Sequence, residues 1–514
     1  MPKRSAGCFE CRKRKVRCDE TKPECNTCLR RGTKCPGYRP TQSFILHKFD
    51  DQGDKPSIIK EDDNRYRYAN QQVAEAPKPP ASSSQAVSRT VGHLQPYYAR
   101  PVDEPIPRRV SPMAIERVQY MGKFLDLYLP KTDRGQTLPP PSALILALPS
   151  IPATSQTLLA ALDALSAAQL AVSNRNYPLI NRSRSLYGTA LSQMMVVIQS
   201  PARALEDETL LATYLLTLYE VFVGITNGRG FFYHVQGLLH LLKERGPDSF
   251  KSRFSMMIYH AIRYNSLSLG YHVRKASMLD SPEWRAVTKQ PAQHDPYVAL
   301  VDICIGVPRL LERTDKLPPS TDDSFTTSLD ELLDDSIQLA NQAAEWFTDF
   351  ERNGPRYAKV PVAEVDGFLE IHNDLTFDPV FYFDTFGAGI CYMIYSMSML
   401  ILQSNTFRLL RQYRQLEPKD LYLWDLQLGN HADRICRSIP YNCRPIAGYT
   451  GKFGSLTPLV VARKYFEAKK AEEKLRWCEM VYSGTRVPGL YSTPIPMEPL
   501  KGVQNLVQKS DRYL

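Results

Sequence analysis

Six cysteines packed into one short N-terminal stretch constrain this chain more than any other feature. They stand at Cys8, Cys11, Cys18, Cys25, Cys28 and Cys35, so that C-x2-C-x6-C is followed by a second copy of itself. The other five of the eleven cysteines are scattered over the rest of the 514 residues. So short a segment, with few large hydrophobes, cannot bury enough apolar surface to fold alone. The first residues, MPKRSAG, run into charged sequence without the apolar run of a secretory signal, so the thiols are expected to meet a reducing compartment. That argues against three disulfides, which could pair in 15 ways, and in favour of metal.

The spacing states how the metal would be held. A Cys-x2-Cys pair can chelate one ion from a tight turn, and a third thiolate about two helical turns on can reach the same ion. Each half therefore offers three ligands, whereas a closed structural zinc site takes four. Six sulfurs can satisfy two zinc ions only if two of them bridge. Repeat symmetry nominates the equivalent residues Cys8 and Cys25, which gives one compact Zn2Cys6 cluster per chain. Fingers of the Cys2His2, RING or LIM kind use histidine or other gaps, and His47, the first histidine, lies outside the repeat. A Cu(I)-thiolate cluster is a further alternative.

Charge is as uneven as cysteine. The whole chain is +10, yet residues 1–40 hold 12 Lys and Arg against 4 Asp and Glu, so nearly all the excess is N-terminal. Five cations, Arg12, Lys13, Arg14, Lys15 and Arg17, fill six positions between Cys11 and Cys18. On one short metal-held helix such a run repels itself unless a polyanion neutralises it, and double-stranded DNA presents a phosphate charge about every 1.7 Å. Arg and Lys also read guanine edges in the major groove.

The stretch GCFECRKRKVRCDETKPECNTCLRRGTKC resembles the fungal Zn(II)2Cys6 binuclear-cluster domain of transcription factors at all six cysteines. The resemblance implies that Cys8 and Cys25 bridge, that each half is a short helix followed by an extended strand, and that Pro23 shapes the joining loop. It further implies that Lys15, with Arg14 beside it, contacts the bases of a CGG-like triplet. Arg12, Lys13 and Arg17 then contact phosphate, while Arg30 and Arg31 in the second half support the cluster and touch backbone. With Lys3 and Arg4 the same run would serve as a nuclear localisation signal.

Pro36-Gly37-Tyr38-Arg39-Pro40 stops regular structure after the last cysteine. Residues 41–112 read as a flexible Pro/Ser-rich linker, with eight prolines between positions 77 and 112. Phe44, Ile45, Leu46, Phe49, Ile58 and Ile59 do not recur at heptad spacing, so a homodimer would have to form without a coiled coil there.

From about Met113 the pattern is helical. Leu210, Leu211, Tyr214, Leu215, Leu218, Tyr219 and Phe222 mark one face of a helix over Asp207 to Phe222, with Asp207 as N-cap. Further helices are expected over 157–172, 186–198, 231–243, 254–269, 329–350, 386–402, 420–439 and 458–481. The uncharged stretch Thr385 to Phe407 reads as a buried central helix, not a membrane span. Asp322 to Glu351 holds nine acids and no Lys or Arg among apolar residues, which fits either an activation segment or a packed amphipathic helix. Leu158 to Pro247, including His234-Val235-Gln236-Gly237 and Arg245-Gly246, resembles the fungal-specific transcription factor regulatory region.

Neither a Gly-rich phosphate loop, nor His-Glu-x-x-His, nor Gly-x-Ser-x-Gly occurs. His234 and His240 do not share a helix face, and Cys304, Cys391, Cys436, Cys443 and Cys478 fit buried, inert thiols. The expectation is a small Zn2Cys6 binuclear zinc-cluster domain (1–40), a disordered linker (41–112) and a large all-α regulatory domain (113–514). Such a chain would be a nuclear, sequence-specific RNA polymerase II transcription factor and not an enzyme. It would bind DNA and the transcription machinery or coactivators, respond to partners or a small-molecule effector, and regulate a metabolic gene cluster, secondary metabolism included.

Overall fold

The computed structural model describes residues 7–19, 21, 25–33, 35–36, 112–131, 138–151, 154–223, 229–289, 291–371 and 374–484. The expectations for Lys3, Arg4, Pro23 and the linker through residue 111 lie outside the described residues. The chain divides into two units, Met1–Val91 and Gly92–Leu514.

In the first unit two short helices, α1 (Phe9–Lys13) and α2 (Asn26–Leu29), begin directly after the cysteines that open each half of the repeat. Among the described residues their core is sulfur: Cys8, Cys11, Cys25, Cys28 and Cys35 are buried against one another with Cys18 at the edge. No strand forms among the described residues of this unit.

The second unit is helical. Its first group of elements is α3 (Pro112–Tyr128), α4 (Pro140–Ala147), α5 (Gln156–Ser173), α6 (Tyr177–Val197), α7 (Pro201–Ala204), α8 (Asp207–Val223), α9 (Arg229–Arg245), α10 (Arg253–Val273) and α11 (Pro282–Thr288). The second group is α12 (Pro296–Cys304), α13 (Val307–Asp315), α14 (Phe325–Asn353), β1 (Tyr357–Val360), β2 (Val380–Phe383), α15 (Phe386–Tyr413), α16 (Pro418–Asn442), α17 (Gly448–Ala468) and α18 (Glu472–Gly484). Two apolar cores result. One gathers side chains of α3 to α11, the other those of α12 to α18 and the strands, with Leu267 and Tyr271 of α10 contributing to the second.

Local chemistry explains where helices start. Asn176 caps α6 by accepting from the Leu179 amide at 3.1 Å, with Pro178 in the first turn. This helix therefore starts at Tyr177, well before Leu186, because polar residues 181–185 conceal its apolar period. Asp207 is not the N-cap of α8 but its first residue, and its carboxylate accepts from Arg245 of α9 at 2.5 Å. The apolar period over 458–481 belongs to two helices, α17 and α18, separated by Lys470 in the left-handed region at φ 54°.

β1 and β2 pair antiparallel, Tyr357 opposite Phe383 and Val360 opposite Val380, so the region is not purely helical. Four-residue strands show too little alternation to be read from sequence. The long apolar stretch is α15, and 94% of its most apolar window is buried inside the protein. α14 buries Phe325, Leu329, Leu332, Leu333, Leu339, Phe347 and Phe350, so the acidic-hydrophobic segment is a packed amphipathic helix with its acids outward.

His234 is buried, its Nε2 2.8 Å from the Tyr187 hydroxyl, which donates to Glu220 at 2.5 Å. His240 is exposed. Burial lowers the His234 pKa to about 4 and, with Arg434 nearby, that of His431 to about 3. An unfolded chain takes up these protons near pH 6.5 whereas the folded one refuses them, so stability falls as pH drops below 6.5. Urea unfolding of the full chain at pH 7.5 and 5.0 should show a loss on the order of 2 kcal/mol per histidine at the lower pH. His431→Gln should remove one such share, and an unchanged difference would exclude His431 as its source.

Candidate metal centre and nucleic-acid interface

The two halves of the repeat fold alike. Cys8 and Cys25 stand just before α1 and α2, and each sulfur accepts the amide of the residue three further on, Cys11 and Cys28, at 3.4 Å. Backbone N–H groups at a helix start favour an anionic sulfur. Cys18 returns to the first half, where its sulfur accepts from the Cys8 amide at 3.4 Å.

The sulfurs form two four-membered groups, Cys8, Cys11, Cys18, Cys25 and Cys8, Cys25, Cys28, Cys35, with all atoms of a group within 4.8 Å of one another. Cys8 and Cys25 belong to both. Their sulfurs lie 3.5 Å apart, and Cys8–Cys28 and Cys11–Cys25 are 3.7 Å apart. Four sulfurs at about 2.3 Å from a tetrahedral zinc ion would be about 3.8 Å from each other, so the spacing suits metal ligation. All six thiols are free of disulfides.

Packing thiols together without metal disfavours their charged form. Burial pushes the Cys11 thiol up to about 12, and the Cys25 and Cys28 thiols rise as well. Thiolate ligation by divalent metal reverses this, and metal uptake releases protons.

The basic run is not one helix. Only Arg12 and Lys13 lie in α1. The Val16 amide then bonds back to the Cys11 carbonyl at 3.0 Å with Lys15 left-handed at φ 54°, which ends the helix in a Schellman turn. The second half repeats the turn 17 residues later: the Thr33 amide reaches the Cys28 carbonyl at 3.2 Å, with Gly32 at φ 66°. A longer helix would carry Cys18 away from the cluster, so the chain must reverse here. Lys13, Lys15 and Arg17 are exposed and Arg14 half-buried, which leaves the cations on a turn.

Among the described residues, the non-glycine positions with positive φ are Lys15, Arg175, Arg274 and Lys470, all basic. Each ends a helix, where a cation sits favourably against the unsatisfied carbonyls. The left-handed backbone of Lys15 is thus a general helix stop, and its exposure amid other cations is what sets it apart.

One residue of the module escaped the sequence reading. Asp19 accepts from the amides of Asn26 and Thr27 at 3.1 and 3.3 Å and from the Thr21 hydroxyl at 2.6 Å, tying the end of the first half to the start of α2. The Thr21 bond and these amides hold its carboxyl well below the usual range. An N-capping residue six positions before the cysteine that opens its helix has no spacing signature. In the helical unit Cys436 and Cys478, 42 residues apart, bring their buried sulfurs to 3.8 Å, another pairing that only the fold creates.

Fold and site together define a class: a metal-binding cysteine cluster carrying an exposed basic turn, in a chain with a separate helical unit. Residues 6–43 match the fungal Zn(2)-Cys(6) binuclear cluster domain and residues 121–342 the fungal specific transcription factor domain. The chain belongs to the fungal Zn(2)-Cys(6) transcription factor family. Both matched families are transcription-factor domains rather than enzymes, and the cluster domain binds two zinc ions.

Among curated relatives, an uncharacterized protein of Emericella nidulans is 27% identical over 146 residues, 26% of this chain and 31% of that protein. An uncharacterized transcriptional regulatory protein of Schizosaccharomyces pombe is 41% identical over 46 residues, 8% of each chain. The aspercryptin biosynthesis cluster-specific transcription regulator of Emericella nidulans is 53% identical over 34 residues, 7% of this chain and 6% of that one. The chain thus spans less than a third of the length of each of these relatives. No solved structure matches it.

Proposed function

We propose that this chain is a nuclear, sequence-specific regulator of RNA polymerase II transcription that reads a CGG-like triplet in double-stranded DNA. Cys8, Cys11, Cys18, Cys25, Cys28 and Cys35 hold two zinc ions, with Cys8 and Cys25 shared. The zinc supplies the folding free energy that so small a sulfur core lacks. The observation that carries the reading is the pair of four-sulfur groups holding an exposed basic turn. Lys15 and Arg14 reach base edges, while Arg12, Lys13 and Arg17 contact phosphate. Residues 1–40 form the reading module, 41–112 the linker and 113–514 the regulatory domain, through which transcription machinery, coactivators or a small-molecule effector act. A homodimer would use surface other than a coiled coil. The relative named for a biosynthesis cluster supports regulation of a secondary-metabolite gene cluster.

The test is binding of CGG-containing and scrambled duplexes by the zinc-loaded full chain, with and without chelator, across a salt series. Selective binding, lost on chelation and weakened by salt, is expected. Equal affinity for both duplexes would refute sequence reading. Arg17→Ala should weaken specific and scrambled duplexes alike and lower the salt slope by about 1. A selective loss on the CGG duplex would move Arg17 to the bases.

A further inference from the structure

We propose that Thr33 is a phosphorylation site for an arginine-directed protein kinase, and that phosphate placed there weakens DNA binding by the zinc module. This deepens the DNA-reading function proposed above and rests on it. Arg30-Arg31-Gly32-Thr33 sets two guanidinium groups two and three residues ahead of a hydroxyl, a charge pattern that an acidic substrate groove selects. All four residues are exposed. The Thr33 hydroxyl donates to the Cys28 carbonyl at 3.2 Å.

The local backbone suits capture by an enzyme. α2 has four residues, and the chain leaves it through Gly32 at φ 66°, a position with nothing within 4 Å of where a Cβ would stand. Presenting Arg30 to Thr33 in an extended form requires opening this last turn, in which the Arg31 and Thr33 amides bond to the Cys28 carbonyl and the Gly32 amide to the Leu29 carbonyl. The Thr33 oxygen attacks the γ-phosphorus of ATP, so that an O–P bond forms and the bond from that phosphorus to the β,γ-bridging oxygen breaks. ADP leaves, and the hydroxyl proton passes to the kinase's base.

Charge sets the consequence. Phosphothreonine adds about −1.5 to −2 to a module whose cations are there to meet phosphate. Its oxygens would pair with Arg30 and Arg31, drawing them away from the DNA backbone. By repeat symmetry Thr33 is the counterpart of Val16, 17 residues earlier and next to Lys15. The new charge therefore lies at the helix end that corresponds to the reading turn, without touching a base contact. Removing about two positive charges from the ion-release balance corresponds to a 10- to 30-fold loss of affinity near physiological salt. The salt slope should shrink by about 1 to 2.

The zinc-loaded full chain, incubated with ATP and the catalytic subunit of a cyclic-AMP-dependent protein kinase, should take up phosphate at Thr33, located by peptide mass spectrometry. Thr33→Val should abolish that label while leaving DNA affinity unchanged, and Arg30→Ala with Arg31→Ala should sharply slow labelling. The phosphorylated chain should bind CGG duplex at least tenfold more weakly, with two zinc ions still present. Absence of label at Thr33, or unchanged affinity of the labelled chain, overturns the proposal. Loss of zinc on labelling overturns its electrostatic mechanism. If the unphosphorylated zinc-loaded chain fails to bind the duplex, the DNA-reading function itself fails, and labelling at Thr33 is scored separately by mass.

Discussion

Full-length chain carrying Cys8→Ser or Cys25→Ser is expected to lose both zinc ions and with them all specific DNA binding. Each of these sulfurs belongs to both four-membered groups, so removing either leaves two incomplete sites. Cys18 and Cys35 each belong to one group, and Cys18→Ser or Cys35→Ser leaves the other group with four sulfurs. The two kinds of substitution should differ in metal content after gel filtration, close to zero in the first case and up to one ion in the second. The effect is large because structural zinc in small modules contributes on the order of 10 kcal/mol or more to folding, against a core that among the described residues is made of sulfur. One tightly held ion in the Cys8→Ser chain would show that Cys8 does not bridge.

Lys15→Gly should weaken triplet selectivity sharply without unfolding the module. Lys15 is left-handed, a conformation that costs a non-glycine residue roughly 1 kcal/mol and glycine almost nothing. Gly32 occupies the equivalent position of the second half in the same conformation. Glycine at position 15 should therefore keep zinc content and thermal stability at or above those of the parent chain. Loss of the lysine's base contact should cost about 1 to 3 kcal/mol on the CGG duplex and little on scrambled DNA. Lys15→Ala removes the same contact but retains the backbone strain, so the two variants should match in DNA binding and differ in stability. A Lys15→Gly chain that discriminates the triplet as well as the parent does would rule out Lys15 as a base reader, Arg14 being unchanged. Unchanged selectivity in Gly32→Ala, which places strain in the second half, would confirm that backbone geometry alone does not set specificity.

The module was legible because its chemistry is written in spacing. Ligand number forces the sharing of two sulfurs, and the repeat singles out Cys8 and Cys25, the residues common to both sulfur groups. Most long helices could be read as well, because apolar residues such as Leu210, Tyr214 and Leu218 recur on one face. Boundaries were less legible. Asn176 starts α6 by a side-chain bond to one amide, and Lys470 divides one apolar period into two helices, neither of which perturbs the pattern of hydrophobes. The basic run misled for the same reason. Five cations say nothing of where a helix ends, and only the need to bring Cys18 back shows that it ends at Lys13.

By itself the sequence determined the six-cysteine cluster, its two-fold repeat, the concentration of positive charge beside it and the helical character of the larger C-terminal unit. All of these depend on residues close together in the chain, where covalent geometry and helical period set what can meet. Tertiary structure alone decided which distant groups share an environment. It turned the basic run into a turn, set Asp19 over the start of α2, buried the apolar stripe of an acidic helix, and brought Cys436 beside Cys478. The Asp19 contact spans seven residues and the Cys436–Cys478 contact 42, and neither is marked by any regular spacing, because packing among many competing contacts selects it.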